Sequence, residues 1–147
     1  MNKAVWLRRI LITGGVLETG AGLLILADPF ALSFFLLRSP LEGAGLAFAR
    51  IGGGSLLSLG IACWSARETP LEPAGLGVSW GFLAYNLVAC VTLALARPAL
   101  GSGGFPALSA SVVHGLLAAA LLGALLGRSR PSAESAIYVA LGSRRGK

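Results

Sequence analysis

Four apolar stretches, each close to the length of a membrane span, constrain this chain more than any other feature of its sequence. They cover residues 10–27, 44–64, 76–96 and 106–127. A helix needs about 20 mainly apolar residues to cross the hydrocarbon core of a bilayer. Short breaks rich in proline, glycine or charge separate the stretches, so consecutive helices should be antiparallel neighbours. The pattern predicts an all-α, four-helix transmembrane bundle that forms one domain over residues 1–127.

Composition supports a membrane protein and argues against a nucleic-acid-binding one. Of the 147 residues, 55% are hydrophobic and 12% are charged, and the mean hydropathy is +0.79. Soluble domains are about half apolar and about one quarter charged. The net charge of +6 comes mostly from basic residues beside the apolar stretches, where such residues orient a membrane protein. We therefore expect the lipid bilayer, and no nucleic acid, among its partners.

The distribution of basic residues predicts the orientation of the bundle. Arg38 and Arg97 alone lie on one side of the predicted membrane. The other side has Lys3, Arg8, Arg9, Arg67, Arg128, Arg130, Arg144, Arg145 and Lys147. The positive-inside rule then places both termini in the cytoplasm, with residues 128–147 as a basic cytoplasmic tail. We expect a multi-pass protein of the bacterial inner membrane whose first span is an uncleaved anchor, because Glu18 lies at its centre.

The break after the first span contains a further short apolar segment. It is bracketed by Pro29 and Pro40 and is rich in Phe and Leu. Because it is too short to cross the bilayer, we predict a short interfacial helix on the outer side, between spans 1 and 2.

Each span carries one strongly polar residue near its middle. These residues are Glu18, Arg50, Asn86 and His114. Their similar depths predict one intramembrane polar layer, in which Arg50 neutralises Glu18 while Asn86 and His114 satisfy the remaining donors and acceptors. The layer could fix the register of the helices and do nothing else, or it could handle protons or a substrate.

Small residues recur at helical spacing on all four spans. They allow backbones to approach closely, which is how helices associate in lipid. The predicted helix-packing residues are Gly14, Gly22, Gly54, Ser58, Gly77, Gly81, Gly115, Ala119 and Gly123. They favour other transmembrane helices as partners, either in a homo-oligomer or in a larger membrane complex.

Patterns that carry catalysis or bind metals do not occur in the sequence. It has no Cys/His or Ser/His/Asp set, no phosphate-binding loop and no metal cluster motif. Ala110, four residues before His114, has a spacing that would let a tetrapyrrole lie over the small side chain. His114 is the only histidine, however, so a second axial histidine for haem is missing. We expect no cofactor, and no disulfide between Cys63 and Cys90, which lie at different depths.

The first two spans carry a resemblance to known membrane proteins. The stretches RRILITGGVLETGAGLLILADP and LAFARIGGGSLLSLGIACWSAR, within residues 8–67, resemble small four-helix bacterial membrane proteins of the DoxX-like type. The motif GGVLET is also similar to the first span of the small multidrug resistance transporters, which would make Glu18 a residue that exchanges protons for cations. The interfacial segment, Arg50 and the tail depart from that second pattern.

Together these features predict a small non-enzymatic membrane protein. The first hypothesis is an accessory or structural subunit that packs with partner helices in a complex or homo-oligomer. The alternative is a proton-coupled small-molecule transporter that uses Glu18.

Overall fold

The computed structural model describes residues 2–37, 40–96 and 104–127, and these residues are helical or lie in short connections, with no strand among them. The helices are α1 (Lys3–Ala27), α2 (Pro29–Leu32), α3 (Ala44–Ala66), α4 (Pro73–Ala96) and α5 (Phe105–Leu126). All except α2 are long and apolar enough to cross a membrane. The predicted tail, Arg38, Arg97 and residues 98–103 lie outside the described residues.

Local sequence explains where the helices begin and end. The Asn2 side chain accepts a hydrogen bond from the Ala4 amide at 3.0 Å, so α1 begins at Lys3, earlier than the predicted residue 10. Pro29 follows the end of α1, and Pro73 opens α4, where the missing amide hydrogen has no helical partner to lose. Gly43 precedes α3 with a φ of 52°, a conformation that favours glycine.

The closest helix pair is α1 with α3, and glycines make that contact possible. A Cβ atom added at Gly22 would lie 2.6 Å from the Leu57 amide nitrogen and 2.7 Å from the Gly53 carbonyl oxygen. One added at Gly15 would lie 3.3 Å from the Gly60 carbonyl oxygen. These pairings show that α1 and α3 run antiparallel with their backbones almost touching, as small residues allow in lipid.

The second close pair is α4 with α5, and the two pairs meet through larger side chains. The Ser111 hydroxyl donates a hydrogen bond to the Cys90 carbonyl oxygen at 2.7 Å, which joins α5 to α4. Phe82 reaches from α4 to α1, where its ring fills the space beside Gly14. Each long helix is therefore antiparallel to its neighbour in the chain.

One half of the bundle contains the apolar core. The core lies towards one end of the bundle, which we call the packed end. At this end α1 and α4 have their first residues, and α3 and α5 have their last. Polar contacts tie this end together: Lys3 Nζ donates to the Leu125 carbonyl oxygen at 2.8 Å, and the exposed Arg8 and Glu68 form an ion pair at 3.1 Å. The core residues in this half are Leu7, Ile10, Leu11, Cys63, Ala66, Phe82, Leu83, Ala118, Leu121, Ala124 and Leu125.

The opposite half of the bundle has far fewer buried side chains. We call its end, where α1 and α4 end and α3 and α5 begin, the open end. No residue of α3 before Gly53 is buried, and none of α4 after Asn86. Residues 29–37, which we call the connecting segment, fold at this end as α2 followed by a π-helical turn over Ser33–Leu37. Its Phe34 and Phe35 rings are exposed. A short helical segment therefore follows span 1, and its position at the outer interface stays a prediction.

Glycine substitutions on α1 test the α1–α3 contact with a control on the same helix. Alanine at Gly22 would press its methyl group into the α3 backbone, and overpacking of this kind costs about 1 to 3 kcal/mol. Around Gly20 the structure leaves open space, so alanine there should raise helix stability slightly. We expect Gly22→Ala to lower the melting temperature in detergent and Gly20→Ala to leave it unchanged or higher. Equal melting temperatures for both variants would contradict the close contact.

Candidate functional site

Glu18 lies inside the bundle and faces Tyr85 across it. The helix α1 presents Glu18 on the same side as Gly14 and Gly22, and its side chain is only 3% exposed. The Tyr85 hydroxyl on α4 lies beside the Glu18 carboxylate, where it can donate a hydrogen bond to it. Because Glu18 belongs to an apolar span, this hydroxyl supplies part of the polar environment that a carboxyl group needs there.

Asn86 and His114 form the second half of the polar cluster. The Asn86 amide nitrogen donates to the Phe82 carbonyl oxygen at 2.8 Å. Its oxygen lies 2.9 Å from His114 Nδ1 and can only accept. Nδ1 therefore carries the hydrogen, and Nε2 holds the lone pair when the ring is neutral. Asn86, which is fully buried, thus fixes the tautomer of His114.

Two aromatic contacts hold Tyr85 between the two halves of the cluster. Its ring stacks on Phe82 at a centroid distance of 6.4 Å and an interplanar angle of 10°. The His114 ring meets it edge-on, at 5.5 Å and 87°. Glu18, Tyr85, Asn86 and His114 consequently form one connected polar cluster within an otherwise apolar interior.

The polar cluster opens onto a groove in the less filled half of the bundle. Its volume is about 600 Å³, and Glu18, Tyr85 and His114 line it together with apolar side chains of α1, α4 and α5. Leu36 of the connecting segment and Leu56 of α3 complete the wall. The volume lies within the range of small-molecule sites, which are mostly apolar with a few convergent polar groups.

A second groove of about 530 Å³ adjoins the first. It shares Leu36, Leu56 and Tyr85 with the first groove. The rest of its lining is Ile25, Pro29, Ser33, Leu41, Gly45, Phe48, Ala49, Gly52 and Ser55. Nearly all of this lining is apolar, so the polar cluster lies at one end of a longer hydrocarbon-lined cleft.

The predicted ion pair between Glu18 and Arg50 is wrong. Arg50 is exposed, and the ion pairs formed within the described part of the chain join Arg8 and Arg67 to Glu68 at the packed end. Arg50 lies six positions after Ala44, the first residue of α3, which corresponds to about 9 Å along the helix. The long arginine side chain can reach the head-group region from that position.

Rotation of α3 explains why equal depth did not bring Arg50 to Glu18. The Gly53 and Gly60 backbones must face α1, and this requirement sets the rotation of the whole helix. The α3 residues on the grooves include Phe48, Ala49 and Gly52. At about 100° per residue, Arg50 falls on another face. The predicted layer therefore contains Glu18, Asn86 and His114, without Arg50.

The predicted packing residues divide into internal and outward-facing ones. Gly14 and Gly22 contact other helices of the same chain, and Gly115 faces Cys90 Sγ, 3.3 Å from an added Cβ atom. Ser58 is exposed, and its hydroxyl donates to the Gly54 carbonyl oxygen within α3 at 2.9 Å. Ala119 is also exposed. Open space surrounds the Cβ positions of the remaining four, which are Gly54, Gly77, Gly81 and Gly123.

In the described residues, no group of three or more His, Cys, Asp and Glu side chains could hold a metal ion. Cys63 and Cys90 are free thiols. Ala110 and His114 both line the groove, as the tetrapyrrole spacing requires.

Comparison with known proteins identifies no relative. No family model, curated protein or solved structure matches this chain. The functional interpretation therefore depends on the geometry of the site alone.

Tyr85 is the site residue that the sequence interpretation missed. It is the residue before Asn86, near the middle of a membrane span. Tyrosines of membrane proteins are enriched at the two interfaces, where the hydroxyl reaches water. A tyrosine at mid-span therefore needs a polar partner inside the protein. The position of Tyr85 in the middle of a span, away from both interfaces, was the feature of the sequence that could have identified it as a site residue.

Two double-mutant cycles test which polar residues are coupled. We expect Glu18→Gln and Arg50→Met to give additive changes in stability, with a coupling energy below about 0.5 kcal/mol. Asn86→Leu and His114→Phe should show a coupling of about 0.5 to 3 kcal/mol, because they share a buried hydrogen bond. The measurement is reversible unfolding in mixed micelles. A Glu18–Arg50 coupling above about 1 kcal/mol would restore the ion pair.

Proposed function

We propose that the protein is a non-enzymatic, multi-pass protein of the bacterial inner membrane that exchanges a small cation for a proton at Glu18 and thereby transports it. Glu18 is the observation that supports this proposal. It is a carboxyl group in a membrane span that lines a groove and has no cationic partner within the described residues. An unpaired charge is strongly disfavoured there, so the carboxylate gains stability either from a proton or from a cationic ligand.

Competition at one carboxyl group provides the coupling. A proton and a cation cannot both neutralise Glu18, so binding of the cation releases the proton and protonation releases the cation. The Tyr85 hydroxyl supports the charged form that meets the cation, because from its place beside Glu18 it can donate a hydrogen bond to the carboxylate. Transport then requires that the site opens alternately to each side of the membrane.

The helix pairs offer a means for that alternation. Contacts within the α1–α3 and α4–α5 pairs are closer than contacts between the pairs. The pairs separate around the grooves and meet at the apolar core of the packed end. Rocking of one pair against the other would close the grooves and open the packed end, as in transporters whose halves move as rigid bodies. With both termini in the cytoplasm, the open end faces outwards and the connecting segment lies at the outer interface.

An accessory subunit that packs with partner helices is the second candidate. Gly77 and Gly81 favour it, because they are spaced one turn apart on α4 and the space around their Cβ positions is open. Such a ridge allows a second helix, from another copy of the chain or from a larger complex, to approach closely. This role requires no exchange of protons at Glu18.

Proton release upon cation binding separates the two candidates. The probes are octylamine, in its ammonium form, and octyltrimethylammonium, each added to the full chain in weakly buffered lipid nanodiscs. We expect at least one probe to release about one proton per molecule bound, with affinity rising up to about tenfold per pH unit while Glu18 starts protonated. Glu18→Gln should abolish the release, and Glu72→Gln, which changes an exposed carboxyl group outside the spans, should retain it.

The other titratable groups around Glu18 are Tyr85 on α4, His114 on α5 and Cys63 on α3. Proton release that persists in Glu18→Gln would assign the exchange to one of them and contradict the proposal. Absence of binding and release with both probes would favour the accessory subunit.

A further inference from the structure

The hydrogen-bond donors that the polar cluster presents to the groove are directed to partners within the cluster. The Tyr85 hydroxyl lies beside the Glu18 carboxylate and can donate to it, and Nδ1 of His114 donates to the Asn86 oxygen. Asn86 itself is fully buried and does not line the groove. The Asn86 amide nitrogen donates to the Phe82 carbonyl oxygen. What remains for a ligand is a set of acceptors: the Glu18 oxygens, the Tyr85 oxygen and His114 Nε2.

Hydroxyl groups elsewhere in the grooves add no hydrogen-bond donor near Glu18. Ser33 and Ser55 both line the second groove, and each donates to a carbonyl oxygen of its own segment, at 3.0 Å and 2.9 Å. Thr92 lines the first groove seven residues beyond Tyr85, about 10 Å further along α4. When Glu18 is ionised, a head group at the cluster therefore meets acceptors only.

A site that offers acceptors selects a ligand that brings donors. A carbonyl, ether or quaternary ammonium head group has no N–H or O–H hydrogen to offer. A carboxylate head group would be repelled by Glu18. A primary ammonium has three donors, and its hydrogen bonds to a carboxylate are charge-assisted. The chemistry of the cluster thus distinguishes between cations of similar size.

The hydrocarbon-lined cleft indicates which kind of group can be attached to the head group of the ligand. The groove of about 600 Å³ at the cluster adjoins the groove of about 530 Å³, and Leu36 and Leu56 line both of them. Side chains such as Ile25 and Phe48 line this extension. An alkyl chain attached to the head group can follow it and remain in apolar surroundings.

We infer that the two grooves form one binding site for a primary alkylamine, whose ammonium head contacts Glu18, Tyr85 and His114 and whose alkyl chain lies between α3 and the connecting segment. This inference rests on the proposed exchange at Glu18 and adds the class of substrate. It differs from charge recognition alone, because it requires N–H donors on the ligand.

Matched head groups on one alkyl chain test the inference. Octylamine, octyltrimethylammonium, octanol and octanoate are titrated against the full chain in nanodiscs, and binding to empty nanodiscs is subtracted. We expect octylamine to bind at least about tenfold more tightly than octyltrimethylammonium, because the charge-assisted hydrogen bonds are lost with the N–H groups. Butylamine should bind more weakly than octylamine, since less of the second groove is filled.

Variants identify the atoms responsible. Tyr85→Phe removes an acceptor and should weaken octylamine binding more than octyltrimethylammonium binding. Ser109→Ala removes an exposed hydroxyl group outside both grooves and should affect neither. Leu56→Trp narrows the junction of the grooves and should reduce the advantage of octylamine over butylamine. Circular dichroism establishes that each variant retains its helical content.

The possible outcomes separate the two proposals. Equal or tighter binding of octyltrimethylammonium, with dependence on Glu18 retained, would overturn the amine inference and leave proton exchange intact. Octanol binding as tightly as octylamine would also overturn the inference. If none of the four probes binds above the empty-nanodisc level, both proposals fail.

Discussion

The close contact between α1 and α3 determines which polar side chains face the interior of this bundle. Gly22 and Gly53 pack so tightly that neither helix can rotate without a clash. With α1 held in this orientation, Glu18 faces inwards, and with α3 held likewise, Arg50 remains outside. The lack of a cationic partner for Glu18 within the described part of the chain is thus a consequence of backbone packing, which in a membrane depends on small residues more than on large apolar ones.

The bundle combines a filled half and an open half, and the polar cluster lies at their boundary. Phe82 belongs to the core of the packed end and also supports Tyr85 by ring stacking. Its carbonyl oxygen accepts the hydrogen bond that orients Asn86, and Asn86 in turn orients His114. The filled half therefore positions groups that line the groove of the open half. This division suits a binding site, which needs fixed polar groups beside a cavity that can admit a molecule.

The sequence alone predicts the four spans well, because the length of an apolar stretch relates directly to the thickness of a bilayer. It also predicts the depth of Glu18, Asn86 and His114, since the helical rise is constant. It does not predict the direction in which each residue faces. The lipid is as apolar as the protein interior, so the periodicity of apolar residues does not mark the inner face of a span. Arg50 illustrates this limit, and Tyr85 illustrates another, because its importance follows from a partner on a different helix.

The central claim is that Glu18 faces the groove without a cationic partner among the described residues. Reaction with dicyclohexylcarbodiimide tests this claim directly, because this apolar reagent modifies protonated carboxyl groups that it can reach from the bilayer. We expect mass spectrometry of the full chain in nanodiscs to find the adduct on Glu18, to the same extent in Arg50→Met, and to find less of it when octylamine is present. No adduct on Glu18 in the parent protein, together with an adduct in Arg50→Met, would show that Arg50 neutralises the carboxyl group and would contradict this account.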